Sequence, residues 1–391
     1  MSSESQPHSI ETAHHTTVDD TSLDYSDPDL PFWLALNRVT GIGPVRFRSL
    51  LDVFGSAQAA WDGDPVDWLG AGLDGRTVAG FAEQRRHIVP HTLVEQLIQL
   101  RVHAVRVVDP AYPRLLTEIT SPPPVLYVRG RLLPRDNLAV AIVGTRRATT
   151  YGRQVTDQIS RQLAEQGIAI VSGLARGIDT CAHSAALSGG GRTIAVLGCG
   201  PDIVYPPENA RLLERIIENG AAVTPFAPGT PPEAANFPAR NRLISGMSLG
   251  VVVTEAPRQS GALITAGFAG EQGRDVFAVP GSIYNTSSLG ALRLIQDGAK
   301  LVMRVEDILS ELNLQMLPGA APTVEPENET EAKLLEVLGS SGEALHVDEL
   351  SHRLGSPVAA ISATLTVLEL RRLVKLVGPM TYISCVPLQE G

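Results

Sequence analysis

The sequence predicts an α/β protein whose central part is a doubly wound, mostly parallel sheet, with a small all-α domain before it and a winged-helix domain after it. From about residue 105, short apolar runs alternate with helical segments. Between two of these runs, side chains that can pack together recur every four residues from Tyr151 to Leu163, which indicates a helix with one buried face. Strands that alternate with such helices predict a parallel sheet covered on both faces. The candidate strands are Val125–Val128, Leu138–Val143, Ile168–Val171, Thr193–Leu197, Val251–Val253 and Val276–Val279.

The amino-terminal residues predict a tail followed by a small helical domain. Residues 1–29 contain seven acidic residues and no Lys or Arg. We expect a disordered acidic tail here, because the segment cannot bury enough surface to offset the entropy lost on ordering. Residues 30–104 show a helical pattern interrupted by Gly41-Ile42-Gly43, a turn typical of helix-hairpin-helix or SAM-like domains. Backbone N–H groups at such a turn can bind a phosphate, but a purely structural turn explains the same residues equally well.

The carboxyl-terminal residues predict a linker and a further domain. After the central domain (105–312), a stretch rich in Pro, Ala and Glu at 313–329 predicts a linker. Residues 330–391 contain three amphipathic helices and then two short strands, Leu373–Leu376 and Thr381–Cys385, which is the winged-helix order. The third helix, Val358–Leu370, contains no Lys or Arg. Because a DNA-reading helix normally presents such residues, we expect this domain to be a protein-interaction or regulatory module.

Composition excludes several classes of protein. No apolar run approaches the ~18 residues that span a bilayer, and the polar amino terminus is no secretory signal, so we expect no membrane partner. Three widely spaced cysteines predict neither a zinc site nor disulfides, and favour a cytoplasmic protein. The net charge is −10, yet residues 106–310 hold 20 basic and 17 acidic residues. Most basic residues are arginines, which suit bidentate phosphate contacts, although genomic base composition is an alternative explanation for that excess.

Glycine-containing turns follow several predicted strands, where ligands of doubly wound sheets bind. These turns occupy residues 144–152, 172–179, 198–202 (before Tyr205-Pro206) and 258–265. A glycine lets the backbone approach a ligand, and the N–H groups that begin the next helix attract anions. The segment from Asn236 to Gly261 adds an aromatic ring and several arginines near one strand. Together the turns predict a site for phosphates and unstacked bases, with no cofactor or metal.

Several of these residues have structural alternatives. Arg176 and Asp179 could simply pair with each other, and His183 is expected to be structural because no second ligand cluster lies nearby in the sequence. Glu255 could be an acid or base, or form an ion pair with an arginine. Core burial of Phe237 competes evenly with stacking on a base. The chain has neither the glycine fingerprint of nicotinamide-binding proteins nor the Gly-x-x-x-x-Gly-Lys motif of nucleotide triphosphatases.

These motifs, in this order, resemble the DNA-processing protein A family (DprA, also called Smf). The matching segments are Tyr112-Pro113 with PVLY at 124–127, VGTRRAT at 143–149, SGLARGID at 172–179 with Ala182-His183, FPARNR at 237–242, Ser260-Gly261 and Pro280-Gly281. The resemblance covers essentially all of 105–310. It implies a Rossmann-like domain that binds single-stranded DNA without sequence preference, forms a homodimer and loads the recombinase RecA during natural transformation. It implies no catalytic activity.

The resemblance also implies which residues meet the strand. Phosphate contacts would come mainly from arginines and turn residues, and base contacts from Phe237 and Asn241. The candidate DNA-binding residues are Gly144, Thr145, Arg146, Arg147, Ser172, Gly173, Arg176, Phe237, Arg240, Asn241, Arg242, Ser260, Gly261 and Thr265.

Two other functions remain open at this point. The same fold family includes nucleoside-monophosphate phosphoribohydrolases, but their Pro-Gly-Gly-x-Gly-Thr turn is replaced here by Pro280-Gly281-Ser282. A nucleotide sensor that signals through the terminal domain is the third possibility. The helix expected over Ala262–Arg274 could line a dimer or RecA contact, or could equally be an ordinary core-facing helix.

Overall fold

The computed structural model describes residues 25–314, 328–341, 345–371 and 373–384. Residues 1–24 of the predicted tail and 315–327 of the predicted linker lie outside this description. Within the described ranges, no helix has the length and apolarity needed to cross a membrane.

The amino-terminal part is helical, as predicted. Its helices are α1 (Leu30–Arg38), α2 (Pro44–Phe54), α3 (Ala57–Asp62), α4 (Pro65–Gly70), α5 (Gly75–Arg85) and α6 (Pro90–Leu100). Gly41 has φ 99° in the turn between α1 and α2, a conformation that glycine adopts without strain. Trp68 stacks on Phe81 with ring centroids 4.0 Å apart in the core. The Tyr25 hydroxyl donates to the Val102 carbonyl, so order begins before residue 30.

The central part alternates strands and helices. In chain order its elements are β1 (His103–Arg106), α7 (Arg114–Thr117), β2 (Val125–Gly130), β3 (Ala139–Gly144), α8 (Thr150–Glu165), β4 (Ala169–Ser172), α9 (Ile178–Ser188), β5 (Thr193–Val196), α10 (Ala210–Asn219), β6 (Ala221–Thr224), α11 (Asn236–Gly246), β7 (Gly250–Glu255), α12 (Gly261–Glu271), β8 (Asp275–Ala278), α13 (Leu289–Gln296), β9 (Lys300–Leu301) and α14 (Val305–Glu311).

These strands form one nine-stranded sheet in the order β1-β2-β6-β5-β4-β3-β7-β8-β9. The seven strands from β6 to β9 pair in parallel, and β2 pairs antiparallel with both of its neighbours, β1 and β6. The six predicted strands are all present. Three strands (β1, β6 and β9) were not among the candidate strands: β1 and β9 lie at the sheet edges, and β6 is the alanine-rich segment Ala-Ala-Val-Thr. The predicted fold class is confirmed.

Helices cover both faces of the sheet, which accounts for the apolar strands. Leu243 and Ile244 of α11 and Ala266 of α12 pack on one face. Ile159 of α8 and Ile178 of α9 pack on the other. From β3 the chain proceeds through β4, β5 and β6 on one side and then crosses to β7 on the other. The carboxyl ends of β3 and β7 therefore flank a crevice, the usual ligand position in doubly wound sheets.

The carboxyl-terminal part has the predicted winged-helix order. It contains α15 (Glu329–Ser341), β10 (Leu345–His346), α16 (Val347–Leu354), α17 (Val358–Leu370), β11 (Val374–Gly378) and β12 (Thr381–Ser384). The strands form an antiparallel sheet in the order β10-β12-β11. Ile361, Leu365 and Leu368 of α17 are buried in a separate core. Cys385, the predicted end of the last strand, lies outside the described residues.

Candidate nucleic-acid interface

A groove of about 780 Å³ opens at the carboxyl ends of β3 and β7. Most of the residues predicted to bind DNA line it. They are Gly144, Thr145, Arg146, Arg147, Phe237, Arg240, Asn241, Ser260, Gly261 and Thr265. A smaller cavity of about 20 Å³, the notch, adjoins this groove and contains Gly173 and Arg176 in its lining. Four loops far apart in the sequence therefore meet at one edge of the sheet.

The loop from Gly144 to Thr149 presents two exposed arginines, Arg146 and Arg147, to the groove. Glu255 at the end of β7 holds both ends of this loop. Its carbonyl accepts a hydrogen bond from the Thr145 N–H (2.7 Å), and its carboxylate accepts one from the Thr149 N–H (2.8 Å). Glu255 is buried and forms no ion pair with an arginine of the described chain, so that sequence-based alternative is wrong. Its role here is to position the arginine loop.

Phe237 lies on the first turn of α11 and is only half buried. Its ring packs against the Cα of Gly198, where a Cβ would approach the ring to 2.9 Å. The guanidinium carbons of Arg146 and Arg240 lie 5.6 and 5.7 Å from the ring centroid, and the Tyr205 ring lies 5.7 Å away. The ring borders the groove and the notch instead of entering the core. Of the two sequence-based alternatives, core burial is therefore wrong.

Arg240 differs from the expectation of an open phosphate-facing side chain. It is 4% exposed and forms part of the floor of the groove and the notch. A Cβ at residue 173 would overlap its Nη1, so Gly173 is required for this position. Its Nε is buried without a hydrogen-bond partner, and no described residue forms an ion pair with it. Burial lowers the pKa of Arg240, and the nearby Asp179 carboxylate opposes that shift.

Asp179 stabilises the loop after β4. Its Oδ2 accepts hydrogen bonds from the Gly173 N–H (3.2 Å) and the Ala175 N–H (3.3 Å). Burial raises the pKa of this carboxyl, whereas Arg240 and the two N–H donors act in the opposite direction. The suggested Asp179–Arg176 pair is absent from the described residues. Arg176 instead pairs with Glu208, and that hydrogen bond raises the pKa of Arg176 and lowers that of Glu208.

Two predicted site residues face away from the groove. Ser172 is fully buried, and its hydroxyl donates to the Ile142 carbonyl at 2.6 Å. The Nη1 of Arg242 donates to the Ser121 carbonyl at 3.2 Å. Because Arg242 follows Arg240 by two positions on α11, the two side chains point to nearly opposite sides of the helix. The expectation that Ser172 and Arg242 face phosphates is wrong for this conformation.

The start of α12 forms the opposite wall. Ser260 is its N-cap, and its hydroxyl accepts a hydrogen bond from the Ala262 N–H. Asn241 donates through Nδ2 to the Gly261 carbonyl at 3.3 Å, which joins α11 to α12. Thr265 is buried one turn into the helix and contributes to the groove lining. The N-terminal N–H groups and dipole of α12 make this wall favourable to an anion.

His183 and Cys181 do not line the groove or the notch. His183 is buried, its Nδ1 lies 2.6 Å from the Thr193 hydroxyl, and burial lowers its pKa to about 3. Cys181 donates to the Arg153 carbonyl, and burial raises the pKa of its thiol. Across the part of the chain that the structure describes, no group of three or more His, Cys, Asp or Glu is arranged to hold a metal ion.

Comparison with known proteins places this geometry in a family. The model of DNA recombination-mediator protein A matches residues 103–313, that of the DprA winged helix domain matches 318–377, and that of the DprA-like N-terminal HHH domain matches 29–67. The chain belongs to the DprA/Smf family. This confirms the resemblance drawn from the motifs.

Relatives in the DprA/Smf family match long stretches of the chain. Protein Smf of Synechocystis sp. is 43% identical over 304 residues, which is 76% of this chain and 75% of that protein. DNA processing protein DprA of Streptococcus pneumoniae is 46% identical over 205 residues, 52% of this chain and 72% of that protein. The X-ray structure of DprA from Streptococcus pneumoniae has a TM-score of 0.64 at 36% identity and covers 72% of this chain and 97% of that one.

In this DprA/Smf family member, the groove also contains residues that were not among the predicted DNA-binding residues. Tyr205 borders both cavities, and Gln259 and Ile264 lie on the wall formed by α12 and the turn before it. Tyr205 follows the glycine turn at 198–202 directly, so its position after a predicted strand was the available signal. Ile264 carries no such signal, because an apolar residue in a helix is expected to face the core.

Proposed function

We propose that the protein binds single-stranded DNA without sequence preference in the groove at the carboxyl ends of β3 and β7. The observation that supports this most directly is the combination of three guanidinium groups with one half-exposed ring. Arg146 and Arg147 are exposed on one loop, Arg240 lies in the floor, and Phe237 stands between two of them. Phosphates suit the arginines and helix N-terminus, and an unstacked base suits the ring.

Single strands fit this arrangement better than a duplex does. A base can stack on Phe237 only when it has left its own stack. Unstacking costs little free energy in a flexible single strand and several kcal/mol in a duplex. The groove is lined by loops and by residues from Phe237 to Ile244 of α11 and from Gly261 to Thr265 of α12. Contacts to phosphates and to ring faces carry no base code, so affinity should vary little with sequence.

We further propose that the protein is a cytoplasmic, non-enzymatic homodimer that protects single strands and loads RecA onto them in DNA uptake and recombination. The family membership and the predicted binding groove support this role. Among the described residues lining the groove and the notch, Asp179 is the only carboxylate, and its Oδ2 already accepts two backbone N–H groups. Glu255, the other candidate acid, is buried beneath the arginine loop.

Fluorescence anisotropy with labelled single-stranded and duplex oligonucleotides of equal length tests the binding proposal. We expect clear preference for the single strand, similar affinity for different base compositions and a steep loss of affinity with salt. Equal binding of duplex and single strand would contradict the proposal. Incubation with AMP and chromatography for free adenine tests the absence of phosphoribohydrolase activity. Assembly of RecA filaments on strands coated with a single-strand-binding protein, with and without this protein, tests loading.

A further inference from the structure

The notch beside the groove has a closed inner end. Gly173, Gly198, Pro206 and Arg240, which form its inner end, are all buried, whereas Arg176 and Tyr205 at its mouth are exposed. Its volume is about 20 Å³. That is room for one or two water-sized groups, which suits the oxygen atoms of a phosphate and excludes a base ring. The notch shares its mouth with the groove through Arg146 and Phe237.

The inner end of the notch holds a buried guanidinium with an unsatisfied donor. The Nε of Arg240 is buried and lacks a hydrogen-bond acceptor within the described chain. The Asp179 carboxylate lies near this guanidinium, but its Oδ2 also accepts hydrogen bonds from the backbone N–H groups of Gly173 and Ala175. A buried guanidinium whose donors are incompletely satisfied is unfavourable in a folded protein. An anion in the notch would add a second counter-charge beside Arg240.

The mouth of the notch adds a second cation that an anion can recruit. The Arg176–Glu208 pair is well exposed, with 62% and 49% of the two side chains accessible. Exposed pairs of this kind contribute little to stability, so Arg176 can exchange Glu208 for a phosphate with little loss. Arg146 approaches from the groove side. The notch therefore brings three guanidinium groups to a space that oxygen atoms of one phosphate can enter.

We propose that the notch binds the terminal phosphate of a DNA strand whose adjoining nucleotides lie in the groove. A phosphodiester inside a strand can turn only its two non-bridging oxygens toward the notch, whereas a terminal phosphate can turn three. A phosphomonoester also carries a charge of about −1.5 to −2 at neutral pH, more than the single charge of a diester. This inference rests on the proposed function of the groove and adds a preference for phosphorylated strand ends.

The test compares oligothymidines of one length with a 5′-phosphate, a 3′-phosphate or hydroxyl groups at both ends, measured by anisotropy competition at fixed ionic strength. We expect one phosphorylated end to bind roughly tenfold more tightly than the unphosphorylated strand, the scale of one hydrogen bond to a charged group. Whichever of the 5′- and 3′-phosphorylated oligonucleotides binds more tightly identifies the direction in which the strand lies in the groove. Arg176→Gln should bring the ratio close to one, because Arg176 borders the notch and not the groove.

Arg147→Gln is the matched control, because Arg147 borders the groove and not the notch. It should weaken the binding of phosphorylated and unphosphorylated strands by the same factor and so preserve the ratio of the two affinities. Equal affinity of all three oligonucleotides would overturn the notch assignment while leaving single-strand binding intact. A preference that survives Arg176→Gln would also overturn it. Failure of every single strand to bind would instead refute the proposed function. Arg176 and Arg147 are both exposed, and thermal melts verify that the variants fold.

Discussion

Replacement of Phe237 by alanine separates stacking from charge in the proposed groove. Stacking of a base on an aromatic side chain contributes roughly 1–3 kcal/mol, so we expect the dissociation constant to rise between about 5-fold and 150-fold. The ring carries no charge. The slope of log affinity against log salt should therefore stay the same, apart from any effect of loosening Arg146 and Arg240, which lie 5.6 and 5.7 Å from the ring centroid.

Arg147→Gln is the complementary change, because Arg147 is exposed in the groove, whereas the cations beside the Phe237 ring are Arg146 and Arg240. If it contacts one phosphate, its loss should reduce the salt slope by about 0.7 for a single strand. Anisotropy titrations of both variants with labelled oligothymidine over a series of salt concentrations measure both quantities. Equal affinity of Phe237→Ala and the parent protein would refute stacking. A reduced slope in Phe237→Ala but not in Arg147→Gln would refute the assignment of charge contacts.

Three further predictions follow from contacts around the groove. Glu208→Gln releases Arg176 at the notch, so affinity for the end-phosphorylated oligothymidine should rise severalfold, and unchanged affinity for it would show that this pair does not compete with DNA. Gly173→Ala places a Cβ on the Arg240 guanidinium, so binding should fall by at least about tenfold; a parent-like titration curve would contradict the buried position of Arg240. His183 has a pKa of about 3 in the folded state against 6.5 for a free histidine, so its contribution to the free energy of unfolding should be complete above pH 6.5 and fall by about 1.4 kcal/mol per pH unit below it. Urea unfolding of the parent protein and His183→Gln at several pH values measures this loss. Parallel pH profiles of the two proteins would count against it.

The fold could be predicted from the sequence because its strands are apolar and alternate with helices of one buried face. Strands that form only through pairing with neighbouring strands could not be predicted from the sequence. β9 consists only of Lys300 and Leu301, and pairing with β8 rather than any local pattern makes it a strand. β6, with the sequence Ala-Ala-Val-Thr, has too few bulky residues for a strong signal. Short elements of this kind owe their conformation to tertiary hydrogen bonds.

The candidate site was predicted by position more reliably than by side-chain direction. Glycine turns after strands located the groove, since parallel strands end at one edge. The prediction for Arg242 was wrong in direction because the segment was not recognised as a helix. Residues two apart on a helix face nearly opposite sides, so Arg240 lines the groove and Arg242 does not. Pro238 argued against a helix in the sequence, although a proline is tolerated in the first turn of a helix. The Arg176–Glu208 pair spans 32 positions, and no local pattern indicates it.

The two kinds of arginine in the groove should respond differently to salt. Arg146 and Arg147 are exposed, so mobile ions screen their attraction for a phosphate over a Debye length of about 8 Å at physiological ionic strength. Arg240 is buried, and ions reach it far less. Exposed arginines on the rim can therefore capture the strand and account for its salt dependence. The buried guanidinium, fixed against Gly173 and beside an Asp179 carboxylate that already accepts two backbone N–H groups, can retain a phosphate once it has entered. A chain with a net charge of −10 can bind an anion in this way because the positive charge is concentrated where the strand ends of the sheet meet.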